Sequence, residues 1–145
     1  MVIQDTEFTR SLIDFGKILG APSAILVISA HWVTDGIYVS NSSKPDTIYD
    51  FYGFPPELYQ VRYPCKGSPE TADLICDTLG EEGIKPIDRG LDHGAWQILK
   101  FIFPEANIPV LQISINSKFS FREHFEFAKK LQFLKSEGIL LLGSG

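Results

Sequence analysis

The feature that most constrains the fold is an unbroken apolar run, AILVISA, over residues 24–30. The run lacks the polar alternation of a half-solvated strand and is typical of a strand covered on both faces. Two similar runs follow, IPVLQISI at 108–115 and ILLL at 139–142. Because segments with helical character separate these runs, the sequence predicts an α/β fold with a mostly parallel central sheet flanked by helices.

Periodicity and capping residues place the remaining elements. Ser68 followed by Pro69 is typical of a helix start, and Ser120-x-x-Glu123 matches a capping box. The predicted helices cover residues 5–19, 68–79, 95–103 and 120–136. Short strands are predicted at 36–40 and 84–87, and an ordered loop at 44–67.

Length and composition exclude several classes of protein. The chain has 145 residues, which suits a single domain over residues 1–145. A net charge of −5 without a basic run argues against a nucleic-acid partner. No apolar run reaches the ~20 residues of a membrane helix. The segment MVIQDTEFTR has no signal-peptide pattern, so we expect a cytoplasmic protein with Cys65 and Cys76 as reduced thiols.

Only three histidines are present, and two of them are candidates for chemistry. His31 follows the first apolar run, and ligands of open α/β sheets bind outside the carboxyl ends of the strands. It is therefore either a core histidine or a metal ligand or acid–base group. His93, in GLDHGAW at 90–96, is either a proton donor or acceptor or a loop brace. His124 is predicted to be solvated or capping, off an apolar helix face of Phe125, Ala128 and Leu131.

The loop YDFYGFPPELYQVRYP at 49–64 is rich in aromatic residues. It either lines a flat apolar pocket suited to an aromatic ligand or packs over the open face of the sheet.

Together these segments resemble a known family. SAHW at 29–32, the aromatic loop, GSPE at 67–70, LDHGAW at 91–96 and IPVLQISI come in an order and spacing similar to the class III extradiol ring-cleavage dioxygenases of the DOPA-dioxygenase type (LigB-like). The resemblance covers essentially the whole chain. It implies an α/β fold and a reaction in which dioxygen opens a catechol ring beside its two hydroxyls.

The resemblance also implies a cofactor and a set of site residues. The cofactor would be iron(II), or zinc, with His31 as a metal ligand and His93 as the catalytic proton-transfer residue. A small catechol-type substrate would contact Trp32, Tyr52, Phe54 and Asp92.

Two departures from the family pattern lead to further expectations. The family's His-Gly-Ser-Pro ligand motif would precede residue 1, and its last ligand would follow Gly145. On this view the chain is the central part of a catalytic domain, truncated at both ends, that carries one ligand of the set and is impaired in catalysis. We also expect it to form a homo-oligomer, because a missing strand bares a sheet edge.

Two alternatives stay open. One is a non-catalytic, truncated family domain that acts by self-association or partner binding. The other is a hydrolase or isomerase on a similar fold that uses His93 with Asp92. Metal content separates the dioxygenase from the non-catalytic domain.

Overall fold

The computed structural model describes residues 4–145. Within them the helices are α1 (Glu7–Leu19), α2 (Pro69–Thr78), α3 (His93–Ile102) and α4 (Phe121–Lys130). The strands are β1 (Ala24–Thr34), β2 (Tyr38–Ser40), β3 (Lys85–Ile87), β4 (Val110–Asn116) and β5 (Ile139–Ser144). Short 3-10 turns cover Pro56–Gln60, Gly80–Glu82 and Leu131–Lys135.

The strands form one sheet in the order β3-β2-β4-β1-β5. Strand β1 pairs in parallel with both β4 and β5, and β2 pairs in parallel with β3. Only the β2–β4 contact is antiparallel among the described strands. The predicted α/β fold with a mostly parallel sheet is confirmed.

Two apolar layers cover the faces of the sheet. Ile25 and Val27 of β1 point into one layer, where Trp96 of α3 packs. Leu26 points into the opposite layer, with Ile75 of α2. All five side chains are fully buried. This explains why the run at 24–30 lacks polar alternation.

Among the element boundaries that differ from the prediction, two concern the candidate histidines. Strand β1 runs on to Thr34, because its pairing with β4 resumes at Val33 after an irregularity that follows Ile28. His31 therefore lies inside the strand, near its carboxyl end. Helix α3 begins at His93 rather than at Ala95, because the Asp92 side chain accepts a hydrogen bond from the Ala95 N–H and caps the helix.

The predicted apolar face of α4 is only partly right, because Leu131 is buried but Ala128 is exposed. Phe125 is 64% exposed, whereas Phe127 is buried. The helix also ends at Lys130 and continues as the 3-10 turn at Leu131–Lys135, which buries Leu134. The capping box at Ser120 is present as predicted, with reciprocal bonds to Glu123.

Helix α1 also differs from its periodic pattern. Phe8 and Phe15 are about half exposed, and the buried positions are Thr9 and Gly16. A Cβ at Gly16 would collide with the carbonyl group of Ile102, so α1 approaches α3 too closely for a larger residue. Among residues 4–145 no helix is long and apolar enough to cross a membrane.

Candidate functional site

The imidazole rings of His31 and His93 lie together at the carboxyl end of β1. Their centroids are 3.9 Å apart, and the ring planes are tilted by 40°. Gly94 makes this approach possible, because a Cβ there would lie 2.8 Å from Cδ2 of His31 and would collide with the Ser29 hydroxyl. The Ser144 hydroxyl at the end of β5 donates to the Gly94 carbonyl oxygen at 2.6 Å. Strand β1, helix α3 and strand β5 therefore meet where the two imidazole rings lie.

Asp50, from the aromatic loop, completes this cluster. Its Oδ1 accepts a hydrogen bond from the backbone N–H of His93 at 2.9 Å and lies 2.9 Å from Nδ1 of the same residue. Nδ1 is buried and makes no hydrogen bond within residues 4–145, because Oδ1 lies off the direction of the ring N–H. Burial raises the pKa of Asp50, but the contacts with the backbone and ring of His93 outweigh it, so the pKa is lowered.

A buried network holds the backbone at the start of α3. Oδ1 of Asp92 accepts hydrogen bonds from the Ser29 hydroxyl at 2.8 Å and from the Ala95 N–H at 3.2 Å. Its Oδ2 accepts from Nε2 of Gln112 at 2.9 Å. Asp92 is 0% exposed, and protein donors occupy both of its oxygens. Its place in this structure is that of a helix cap beside His93.

The donor set of the cluster suits a divalent metal. His31, Asp50 and His93 each present one ligand atom, and these atoms lie within 4.8 Å of one another. Two imidazoles and one carboxylate with open positions are the set that non-haem iron(II) oxygenases use, and zinc accepts the same ligand types. His31 is exposed, so the cluster is open on one side. By donor type the cluster therefore fits a divalent metal, and His31 is the member of it that the sequence predicted as a ligand, while Asp50 and His93 also contact each other.

The predicted substrate contacts are distributed unevenly around the cluster. Phe54 packs edge-on against Phe51, whose ring centroid is 5.5 Å from that of His93. Tyr52 is 91% exposed. Trp32 is buried, with the Arg89 guanidinium 4.5 Å above its ring centroid. The ring of Phe51 thus separates Phe54 from His93, whereas Trp32 packs against Arg89.

Sequence reasoning missed two residues of the site, Asp50 and Phe51. Both lie in the aromatic loop, which was predicted to be an apolar wall or a packing element. An aspartate between Tyr49 and Phe51 is the signal that could have identified this position, because a carboxylate in an apolar loop needs a partner. Its partner, the N–H of His93, is distant in the sequence and is placed only by the fold.

His124 lies away from the cluster. Its Nδ1 is 3.0 Å from the Ser120 carbonyl oxygen, as a local capping contact. Its Nε2 is buried, so the side chain is not freely solvated. It lines an apolar groove of about 450 Å³ between α4 and the sheet, together with Ile28, Ile113, Phe127 and Leu141.

Comparison with known proteins shows which family this sequence matches. Residues 4–145 match the family described as the catalytic LigB subunit of aromatic ring-opening dioxygenase. A 4,5-DOPA dioxygenase extradiol of Beta vulgaris is 50% identical over 128 residues, which are 86% of this chain and 48% of that protein. The 4,5-DOPA dioxygenase extradiol of Escherichia coli K12 is 42% identical over 147 residues, which are 99% of this chain and 54% of that protein.

A solved structure agrees with these relatives. The crystal structure of an uncharacterized protein from Escherichia coli K12 superposes with a TM-score of 0.82 at 36% identity, over 99% of this chain and 54% of the other. The chain spans about half the length of the curated relatives it matches. The family match and the shared fold together show that this chain belongs to the LigB family of aromatic ring-opening dioxygenases.

Proposed function

We propose that the chain takes part in extradiol cleavage of catechol-type rings by dioxygen at a non-haem iron(II) centre. The observation that carries this proposal is the contact between the rings of His31 and His93 beside Asp50 in a LigB-family chain. The names of the relatives, 4,5-DOPA dioxygenase extradiol, support a small aromatic substrate with adjacent hydroxyls.

His31 is the proposed metal ligand. A catecholate occupies two coordination positions through its oxygens, so the protein can fill only about half of the sphere. The exposed position of His31 at the end of β1 leaves that space open. Iron(II), when bound, would supply the redox chemistry with dioxygen. Zinc fits the same donors but has no redox chemistry.

His93 is the proposed proton-transfer residue. It lies beside His31, close enough to reach a hydroxyl of a ring held there. Asp92 supports it indirectly, because the cap fixes the first residue of α3. Phe54 and the exposed Tyr52 are the proposed walls of the substrate pocket, with Phe51 between Phe54 and His93. Trp32, near the carboxyl end of β1, is the remaining proposed substrate contact, and the Arg89 guanidinium covers one face of its ring.

A second candidate function is a non-catalytic family domain that acts by self-association. The observation that favours it is the apolar groove beside His124, which adjoins β5 through Leu141. Strand β5 pairs only with β1 among the described strands, so one of its edges is open.

The proposed location is a reducing cytoplasm. The free thiols of Cys65 and Cys76 are consistent with it.

Oxygen consumption tests the proposal directly. The chain would be loaded anaerobically with iron(II) and mixed with a catechol-type substrate in aerated buffer. We expect weak substrate-dependent oxygen uptake, because the chain carries one ligand of the predicted set, and we expect that uptake to fall by at least about 100-fold in His31→Ala or His93→Gln. His124→Gln is the matched control and should keep its rate. If the unsubstituted chain binds iron(II) but consumes no oxygen, the non-catalytic function is favoured.

A further inference from the structure

Asp50 touches two different atoms of His93, and we propose that it is a positioning residue that fixes the tautomer of this histidine. In this arrangement Nδ1 of His93 carries the ring proton and faces the carboxylate, and Nε2 is left as the proton acceptor. The assignment of the tautomer does not depend on the proposed function. Only the role of Nε2, which is to accept a proton from a bound catechol ring, rests on it.

The distances carry the first step. Oδ1 of Asp50 is 2.9 Å from the backbone nitrogen of His93 and also 2.9 Å from its Nδ1. An ionised carboxylate only accepts hydrogen bonds. An unprotonated Nδ1 would hold its lone pair close to a negatively charged oxygen at this distance, which is unfavourable even though the oxygen lies off the axis of the lone pair. A protonated Nδ1 instead donates to the carboxylate once the ring turns to align its N–H, and such contacts often tighten when substrate binds.

The surroundings of Asp50 support an ionised, fixed carboxylate. Its side chain is 26% exposed and that of His93 is 19% exposed, so water competes only partly for this contact. The bond from the first N–H of α3 holds Oδ1 in place, because that N–H has no partner within the helix. The Asp92 cap holds the backbone of His93 from the other side. The ring is therefore the only part of His93 still free to turn, and Phe51 packs edge-on against it.

The protonation state of the second ring nitrogen, Nε2, then follows from that of Nδ1. Neutral imidazole carries one N–H donor and one acceptor, and the partner of one nitrogen decides the state of the other. With Nδ1–H directed at Asp50, Nε2 is unprotonated and can act as a base. The same logic applies to His124, whose Nδ1 faces the Ser120 carbonyl oxygen at 3.0 Å. His124 therefore provides an internal reference for the same tautomer.

The tautomer can be read by long-range ¹H–¹⁵N correlation spectra of the histidine side chains. The sample is the ¹⁵N-labelled chain without metal or substrate, at about pH 8, where a histidine of ordinary pKa is neutral. Spectra of His31→Gln and His124→Gln assign the three rings. We expect His93 in the Nδ1–H form. In Asp50→Asn the ratio of Nδ1–H to Nε2–H should fall roughly tenfold, because a charge-assisted acceptor is lost.

Two controls keep the test specific. Asp50→Asn retains a side-chain oxygen for the backbone N–H of residue 93, so the helix start is preserved. Asp46→Asn removes a charge from an exposed position shortly before the aromatic loop and should leave His93 unchanged. Finding His93 as Nε2–H in the unsubstituted chain overturns the proposal even if Asp50→Asn fails to fold, and so does an unchanged ratio in that variant. Because neither metal nor turnover is involved, absent oxygen uptake would leave this result intact.

Discussion

Gln112 and Asp92 exchange two buried hydrogen bonds. Nε2 of Gln112 donates to Oδ2 of Asp92 at 2.9 Å, and the Asp92 N–H donates to Oε1 of Gln112 at 2.9 Å. Both residues are 0% exposed. Because Asp92 caps the helix that begins with His93, this pair ties the position of the site to the central strand β4.

Replacing Gln112 with leucine should destabilise the chain by about 2–4 kcal/mol. The substitution leaves a buried carboxylate short of one donor and a buried N–H without its acceptor. Urea denaturation followed by circular dichroism measures the change. Gln132→Leu, at an exposed position, is the control and should stay within about 0.5 kcal/mol. Equal stabilities of the two variants would contradict the role of this pair.

Gly94→Ala tests whether the close approach of α3 to β1 shapes the site. The new Cβ would lie 2.8 Å from Cδ2 of His31 and would collide with the Ser29 hydroxyl. We expect a loss of about 1–3 kcal/mol in unfolding free energy from overpacking. We also expect shifted His31 ring resonances.

The matched control is Gly80→Ala, whose Cβ would have no neighbour within 4 Å. It should leave both quantities nearly unchanged. If Gly94→Ala behaves in the same way as Gly80→Ala, the two histidine rings are not held by this contact.

The sheet and the order of its elements along the chain could be predicted, because an unbroken apolar run such as AILVISA already indicates a strand that is buried on both faces. The proximity of His31 and His93 could be predicted, because both were expected at the carboxyl edge of the sheet, where ligands bind. The contact of Asp50 with His93 could not be predicted, because it joins two residues that are distant in the sequence and that only the fold brings together. The burial of Phe127 was also missed, because Phe125 and Phe127 are equally apolar and only the packing of the folded chain distinguishes them.

Alkaline pH should destabilise the chain through Cys65. Burial raises the pKa of this thiol to about 11. The unfolded thiol ionises first, so the unfolded state binds fewer protons and stability falls as pH rises from about 9 toward 11. Tyr63 adds to the effect, because burial raises its pKa in the same direction. Urea denaturation at several pH values should show this slope, and Cys65→Ala should reduce it, whereas Cys76→Ala, at a less buried thiol, should reduce it less.

The two edges of the sheet predict where copies of the chain associate. The edge strand β3 carries Lys85 and Pro86, which both discourage strand pairing. The other edge strand, β5, has the sequence ILLLGS without charge or proline. Its Leu141 lines the apolar groove beside His124. An open apolar edge of this kind is a template for pairing with another chain. We therefore expect self-association through β5.

Sedimentation velocity at micromolar concentration measures this association. Leu141→Lys places a charge at the boundary of β5 and the groove and should shift the chain toward monomer, because pairing would bury that charge. Ile87→Lys adds the same charge at the opposite edge and should leave the association unchanged. A thermal melt of each variant confirms that it is folded. A monodisperse, cooperatively melting monomer of the unsubstituted chain would contradict the prediction, and the β5 edge would then be stable in water without a partner.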